Sequence, residues 1–410
     1  MSIRTPVASP PPEKSPSLRQ YHRLKPGRSQ SQLDVIASQR FRLQRAMIEL
    51  TASEGFDAVT VRKLTRAAGV SSRAFYLRFS GVDDCLLTAY GETMADVAAG
   101  IRDTRSAGLE PAEQVSHALR ALLDRLLADH DVARFALIEV YAGGPAALAA
   151  IVGEERRLES ALRGCLDRRS RRIPRATAAA LIAASLRCAR VQLIDATPAE
   201  AAQTTDLLLE WARDLVDDKE ELGVPAVAMA TSPTNDAWSD GRSVPGGRDD
   251  EDLLLAAVLR LALPDGFQGL TSSRVSSAAG LPTARFRRHF ANLADGYLAA
   301  ISRTCRSFFI ELTAGEGPAS TAPTSIRAAL RKASRRAASD PAAARLTFRQ
   351  VVDAGVAGLT CRESLISELA LACSATTPPA VRLRPIRAEA SIAALWATLA
   401  MSSQSGTFAG

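Results

Sequence analysis

The stretch TVRKLTRAAGVSSRAFYLRF, residues 60–79, decides how the chain is read. Thr60 stands ahead of a basic amphipathic run, where a hydroxyl can cap a helix start. Leu64 and Ala68 share the buried face of that run, which extends to about Ala67. Gly69 breaks it, because glycine accepts the left-handed backbone that ends helices. Ser71 or Ser72 can cap a third helix reaching about Phe79, with Phe75 and Phe79 on its apolar side. Upstream, Leu43, Ala46, Met47 and Leu50 recur at i, i+3, i+4 and i+7 in a helix that begins near Val35 and stops at Gly55. Three short helices with a tight turn between the last two make a helix-turn-helix.

Such a corner reads DNA when its last helix carries donors for base edges and its first residues meet phosphates. The stretch supplies them. Arg62 and Lys63, with Arg66, lie on the supporting helix, and Thr60, Ser71 and Ser72 offer hydroxyls to phosphate. A helix N-terminus adds backbone N–H groups. Arg73, Tyr76 and Arg78 belong to the recognition helix. Charge agrees: residues 1–80 hold 14 Lys/Arg against 5 Asp/Glu, although the whole chain is only +7. The competing reading of the same charge is a solvated surface.

A second stretch, TSSRVSSAAGLPTARFRRHF at residues 271–290, repeats the scheme. A shift of 211 residues aligns the two regions without a gap, and 14 of 50 positions agree between 41–90 and 252–301. Gly55 falls on Gly266, Thr60 on Thr271, Gly69 on Gly280, Phe75 on Phe286 and Phe79 on Phe290. The same shift later places Asp129 on Asp340 and Pro174 on Pro385, so the repeat covers whole units. A second DNA contact set would be Thr271, Arg274, Thr283, Arg285 and Arg287. It is weaker, because Ser273 replaces Arg62, Pro282 replaces Ser71 and Arg287 replaces Tyr76. Residues 251–302 carry 5 Lys/Arg and 4 Asp/Glu, too little charge for strong phosphate binding. The alternative role of this copy is a structural partner that has lost its contacts.

The expected class is all-α, with two tandem units, each a three-helix DNA-binding domain followed by a helical effector and dimerisation domain. Residues 1–34, rich in Pro and Ser, form a disordered basic arm whose Arg23, Lys25 and Arg28 can reach a minor groove, or serve only as a solubilising tail. Residues 35–82 are the first helix-turn-helix domain. Residues 83–218 are a helical domain with spans at 83–105, 111–128, 131–142, 145–168, 174–195 and 199–217. Residues 219–250 are a flexible linker, 251–293 the second helix-turn-helix domain and 294–410 a second helical domain. The shift places Gly410 on Ala199, so a second copy of the last helix is not expected.

The run Gly69-Val70-Ser71-x-x-x-Phe75-Tyr76-x-x-Phe79-x-x-x-Asp83-x-x-Leu86, preceded by Gly55-Phe56 and Thr60, resembles the DNA-binding domain of the TetR family. The piece Leu24-Lys25-Pro26-Gly27-Arg28 resembles the arm ahead of that domain in many actinobacterial members. Ala142-Gly143-Gly144-Pro145 is similar to a corner of their effector domain. The resemblance implies a ligand-responsive regulator, a repressor, that binds double-stranded DNA. It also implies that 174–195 and 199–217 make a four-helix dimer interface, which their small residues at 178–180, 183 and 184 would let approach closely; the alternative is that these helices pack within the monomer. The chain departs from the family at Val82, where a basic residue often follows the recognition helix.

Two pairings are open: a homodimer through 174–217, or an intrachain pseudo-dimer of the two units. A linker of about 30 residues spans roughly 30 Å, near the roughly 34 Å between half-sites one helical turn apart. The Ala/Leu-rich helices suggest a hydrophobic small-molecule effector; His117 and His130 are candidate pocket residues, the more usual reading of either being a surface or capping residue. The six cysteines lack C-x-x-C spacing and read as reduced packing thiols in a cytoplasmic protein. The four histidines lack metal-ligand spacing, so neither metal nor cofactor is expected. No secretion signal or long uncharged apolar run is evident, so no membrane partner is expected. No nucleophile elbow, phosphate loop or dinucleotide fingerprint occurs, and an enzyme is not expected. The other function class is a ligand- or protein-binding module that keeps this fold without reading DNA.

Overall fold

The computed structural model describes residues 32–106, 108–166, 173–195, 197–217, 249–313, 337, 339–376 and 385–402, and among these every regular element is helical. The chain divides into two compact units, residues 1–89 and residues 90–410.

The first unit contains α1 (Gln32–Glu54), a 3-10 turn at Phe56–Ala58, α2 (Val61–Ala68), α3 (Ser72–Tyr76) and the start of α4 (Val82–Asp103). Its core is built from Leu43, Met47, Leu64, Phe75 and Leu86, all fully buried. Thr60 Oγ1 accepts the Lys63 N–H at 3.3 Å and opens α2, and Ser71 Oγ accepts the Ala74 N–H at 3.1 Å and opens α3. Gly69 closes α2 at φ 61°, a left-handed conformation that costs a residue with a side chain about 1–2 kcal/mol. Two boundaries differ from the sequence reading. α1 starts at Gln32, so residues 32–34 of the expected arm are helical, and the rest of the arm lies outside the described residues. α3 ends at Tyr76, not Phe79: the N–H groups of Arg78 and Phe79 both return to the Phe75 carbonyl, which stops the helix. That return leaves Phe79 buried beside Phe75, with ring centroids 5.6 Å apart.

The second unit begins within α4 and continues through α5 (Pro111–Leu127), α6 (His130–Leu137), a 3-10 turn at Glu139–Gly143, α7 (Gly144–Cys165), α8 (Arg175–Asp195) and α9 (Pro198–Asp217). The sequence suggested one helix over 131–142. The chain instead leaves helical geometry at Ile138, and Arg134 reaches Glu139 at 2.8 Å across that corner. Then follow α10 (Asp250–Asp265), α11 (Ser272–Ala278), α12 (Thr283–His289), α13 (Leu293–Thr313), α14 (Pro341–Phe348), a 3-10 turn at Gln350–Ala354, α15 (Gly355–Thr376) and α16 (Pro385–Ser402). Asp250 is therefore helical and Asp249 is its cap residue, at the end of the expected linker. The rest of that linker lies outside the described residues.

Starts recur at the spacing found in the sequence. Shifted by 211, α2, α3, α4, α6, the Glu139 turn and α7 fall on the starts of α11, α12, α13, α14, the Gln350 turn and α15. The caps recur with them: Thr271 accepts from Arg274 N–H as Thr60 does from Lys63, and Asp340 opens α14 as Asp129 opens α6.

α8 is the central helix of the second unit. Its small residues Ala178, Ala179, Ala180 and Ala184 are buried, and it packs against α5, α7 and α9. Arg175–Ile194 is long and apolar enough to cross a membrane, and 72% of its most apolar window is buried inside the protein. α16 lies along α8 and also touches α9. The Glu139 turn packs on α15 while the Gln350 turn packs on α7, a reciprocal arrangement of equivalent elements. Trp211 Nε1 donates to Ser391 Oγ at 3.1 Å across this seam. Cys85, Cys165, Cys188 and Cys305 are buried free thiols. Burial pushes the Cys188 thiol up to about 12.

Candidate nucleic-acid interface

α2 and α3 carry most of the residues singled out in the sequence. Arg62 and Arg66 of α2 and Arg73 of α3 are exposed and form no ion pair among the described residues. Ser72 is exposed at the first position of α3. Tyr76 is 61% exposed, held by an edge-on contact with Phe75 at 5.3 Å. Thr60 and Ser71 are exposed caps whose oxygens already accept backbone N–H groups. Each hydroxyl hydrogen remains free to be donated outward.

Two expected contacts are engaged within the fold. Lys63 Nζ donates to Glu54 Oε2 at 2.5 Å and to the Ala58 carbonyl at 2.9 Å. Arg78 is half-buried and donates to the Ala74 carbonyl at 2.8 Å. A residue the sequence reading missed is Arg42. Its guanidinium donates to the Ala68 carbonyl at 2.7 Å and the Gly69 carbonyl at 3.3 Å, tying the turn to α1. Periodicity marks the apolar face of α1 but gives no sign of which flanking arginine reaches across. Asp84 accepts from the Ser80 N–H at 2.8 Å, which anchors the start of α4 behind the corner.

The second corner has the same skeleton and a different surface. Thr271 caps α11, and the Arg274 guanidinium is turned onto the Gly269 carbonyl. Arg285 pairs with Asp250 at 3.0 Å. Thr283 is half-buried, and Arg287 is exposed. α10 opens with Asp250, Glu251 and Asp252, where the positions 211 residues earlier are Gln39, Arg40 and Phe41. An acidic row thus stands where the first corner has a cation. Arg23, Lys25 and Arg28 lie outside the described residues.

The second unit also holds a cavity of about 510 Å³ between α7 and α8 on one side and the Gln350 turn, α15 and α16 on the other. Ile182, Leu186, Phe348 and Trp396 supply apolar wall, but six arginines and two glutamates also line it. The wall is therefore amphipathic, unlike the purely Ala/Leu-rich lining expected from the sequence. His117 and His130 are exposed and are not in that wall. Burial pushes Glu155 above the usual carboxylate range, against the pull of Arg362 and Arg190. Burial likewise raises Glu159, opposed by Arg175.

Residues 45–89 match the family model described as bacterial regulatory proteins, tetR family. A search of curated proteins finds no match. Among solved structures, the chain is similar to the transcriptional regulator FadR from Bacillus subtilis, crystallised with stearoyl-CoA, at 17% identity and a TM-score of 0.38. That likeness covers 44% of this chain and 98% of the other. A transcriptional regulator from Streptomyces coelicolor A3(2) is 21% identical with a TM-score of 0.37, over 44% of this chain and 98% of its own. The TetR family regulator PfmR from Thermus thermophilus is 18% identical with a TM-score of 0.35, over 44% of this chain and 97% of its own.

Proposed function

We propose that this protein is a TetR-like, sequence-specific DNA-binding transcriptional regulator, a repressor released from its operator by a small molecule. The observation that carries the reading is the α2–α3 corner. It holds a row of exposed arginines, Arg62, Arg66 and Arg73, unpaired among the described residues, beside capped helix starts at Thr60 and Ser71. Phosphate neutralisation dominates DNA affinity, so free cations matter more than engaged ones. Arg62 and Thr60 serve the backbone, and Ser72, Arg73 and Tyr76 face the bases. Lys63 and Arg78 contribute less, because each is already held by the fold. The arm residues Arg23, Lys25 and Arg28 add minor-groove contacts.

In this reading, residues 35–82 are the reader and 83–218 its helical partner domain. Residues 219–250 are a linker, and 251–293 and 294–410 are a second, diverged unit. The two units pair within one chain, supported by the packing of α16 on α8. The acidic row on α10 and the engagement of Arg274 and Arg285 make the second corner a weak DNA reader. The same features favour a runner-up function for that half, a protein- or ligand-binding module on a retained fold. The effector occupies the seam cavity. Its chemistry follows from the wall: an apolar body carrying an anionic group, the first for Trp396 and Phe348, the second for the arginines. By binding one arrangement of the seam better than another it shifts the population that fits DNA. The protein is not an enzyme and works in the cytoplasm.

The test is to incubate the purified chain with fragments of its own genome at moderate salt and sequence what is retained. One enriched site is expected, and Arg62→Ala/Arg73→Ala should weaken retention, the lost Arg62 phosphate contact lowering the salt slope by about one. Two dissimilar half-sites would support paired reading within one chain, and a true palindrome would support a homodimer through residues 174–217. No enrichment, with or without cell extract as a source of effector, sinks the regulator reading.

A further inference from the structure

We propose that a buried ion network makes the α8 seam selective: the first half of the chain accepts the second half and rejects another copy of itself. This rests on the reading of the chain as two paired TetR-like units. Arg187 of α8 is 3% exposed. Its guanidinium is bonded to Glu363, to Ser367 Oγ at 2.8 Å and to Glu389 at 3.0 Å. Arg190, one turn on, is also buried and lies 3.1 Å from Glu363 Oε1, a close ion pair angled away from a hydrogen bond. Every acid in this set comes from α15 or α16 and both α8 cations come from the first half.

The repeat shows what either half would meet in a copy of itself. The positions equivalent to Glu363 and Glu389 are Val152 and Ala178, and the position equivalent to Ser367 is Arg156. In a symmetric pairing of two first halves, Arg187 and Arg190 would face Val152 and Ala178 with Arg156 alongside. Because such an interface uses the same patch twice, both copies of Arg187 would lose their carboxylates, and each Arg190 would be left with Glu155 of its own half. In a pairing of two second halves, Glu363 and Glu389 would face Thr398 and Met401, the equivalents of Arg187 and Arg190. Glu389 would then lose Arg187, and Glu363 would lose both α8 cations and keep only its neighbour Arg362. An isolated buried charge is strongly unfavourable while a paired one roughly breaks even, so the network acts mainly against wrong partners. Only the unlike pairing satisfies both sides, and both sides lie on one chain.

The full chain is therefore monomeric, with a mass of 43.6 kDa that does not change with concentration. Sedimentation equilibrium and light scattering measure it directly. The variant Arg187→Thr/Arg190→Met/Glu363→Val/Glu389→Ala removes the charge at the four network positions of the two halves, leaving Arg362 beside Glu155. It should self-associate as concentration rises, since like-with-like pairing is no longer penalised. A dimeric wild type, or a folded variant that stays as monomeric as the wild type, overturns the inference. Should that variant not fold, a cycle of Arg187→Thr, Glu389→Ala and both together serves instead. Each single change should lower the melting temperature more than an additive share of the double change, and simple additivity overturns the network. DNA retention of the same wild-type sample is read separately. A monomer that binds no DNA defeats the regulator reading alone, and a DNA-binding homodimer defeats this inference alone.

Discussion

Arg73 and Lys63 are both cations of the same corner, yet their surroundings assign them different work. Arg73 projects into solvent without a partner among the described residues, while Lys63 spends its ammonium on Glu54 and the Ala58 carbonyl. The Lys63–Glu54 pair is about half exposed on both sides, so it stabilises little, of order 0–1 kcal/mol. Asp353 is a residue placed at a cost. Burial pushes its carboxyl from 3.8 to about 6, opposed by Arg349. A raised carboxyl means the folded state binds more protons than the unfolded between those values, so stability falls as pH rises through them. Asp353→Asn should therefore raise the melting temperature at pH 8, and the gain should vanish below about pH 4. A thermal-shift series across pH checks this.

At the scale of elements, α3 is only five residues long and has no stability of its own, since isolated helices need about 12–15 residues. It exists because Ser71 caps it, Phe75 is buried beneath it and Gly69 aims it. Gly69→Ala places a methyl at φ 61° and within 3.5 Å of the Arg42 guanidinium that braces the turn. It should cost about 1–2 kcal/mol of stability, measured by chemical denaturation. It should also weaken DNA retention without removing any contact residue. The equivalent turn at Gly280 has the same backbone, φ 70°, which is why the second corner keeps its shape while its surface has changed.

For the whole molecule, the seam between α8 and α16 is the decisive contact of the second unit. Burial works against ionising Glu363, but Arg190, Arg362 and Arg187 outweigh it and hold the carboxyl at about 2. A carboxyl depressed from 4.5 adds stability that is complete above that value and is lost as pH falls toward 2. Acid should thus loosen the second unit over that interval. Glu363→Gln should lower stability at neutral pH and flatten the acid limb, because the protonatable group is gone. Circular dichroism melts from pH 7 down to about pH 2 test both statements.

The helical class, the first corner and the offset of the repeat follow from the order of residues alone. These are local matters: Thr60, Gly69, Ser71 and Phe75 act within a few residues of one another, and caps and glycines set φ and ψ wherever the chain goes next. The basic balance of residues 1–80 was legible too, because it is a sum and needs no geometry. What depends on distant partners emerged only in the folded chain. Folding tied Lys63 to Glu54, brought Arg42 to the turn, set Asp250 against Arg285 and joined Arg187 to Glu363 and Glu389. Each of those pairs forms across space between side chains whose spacing in sequence carries no periodic signal. The amphipathic cavity was hidden for the same reason: its apolar residues read as core, and its arginines read as surface until α16 was laid along α8.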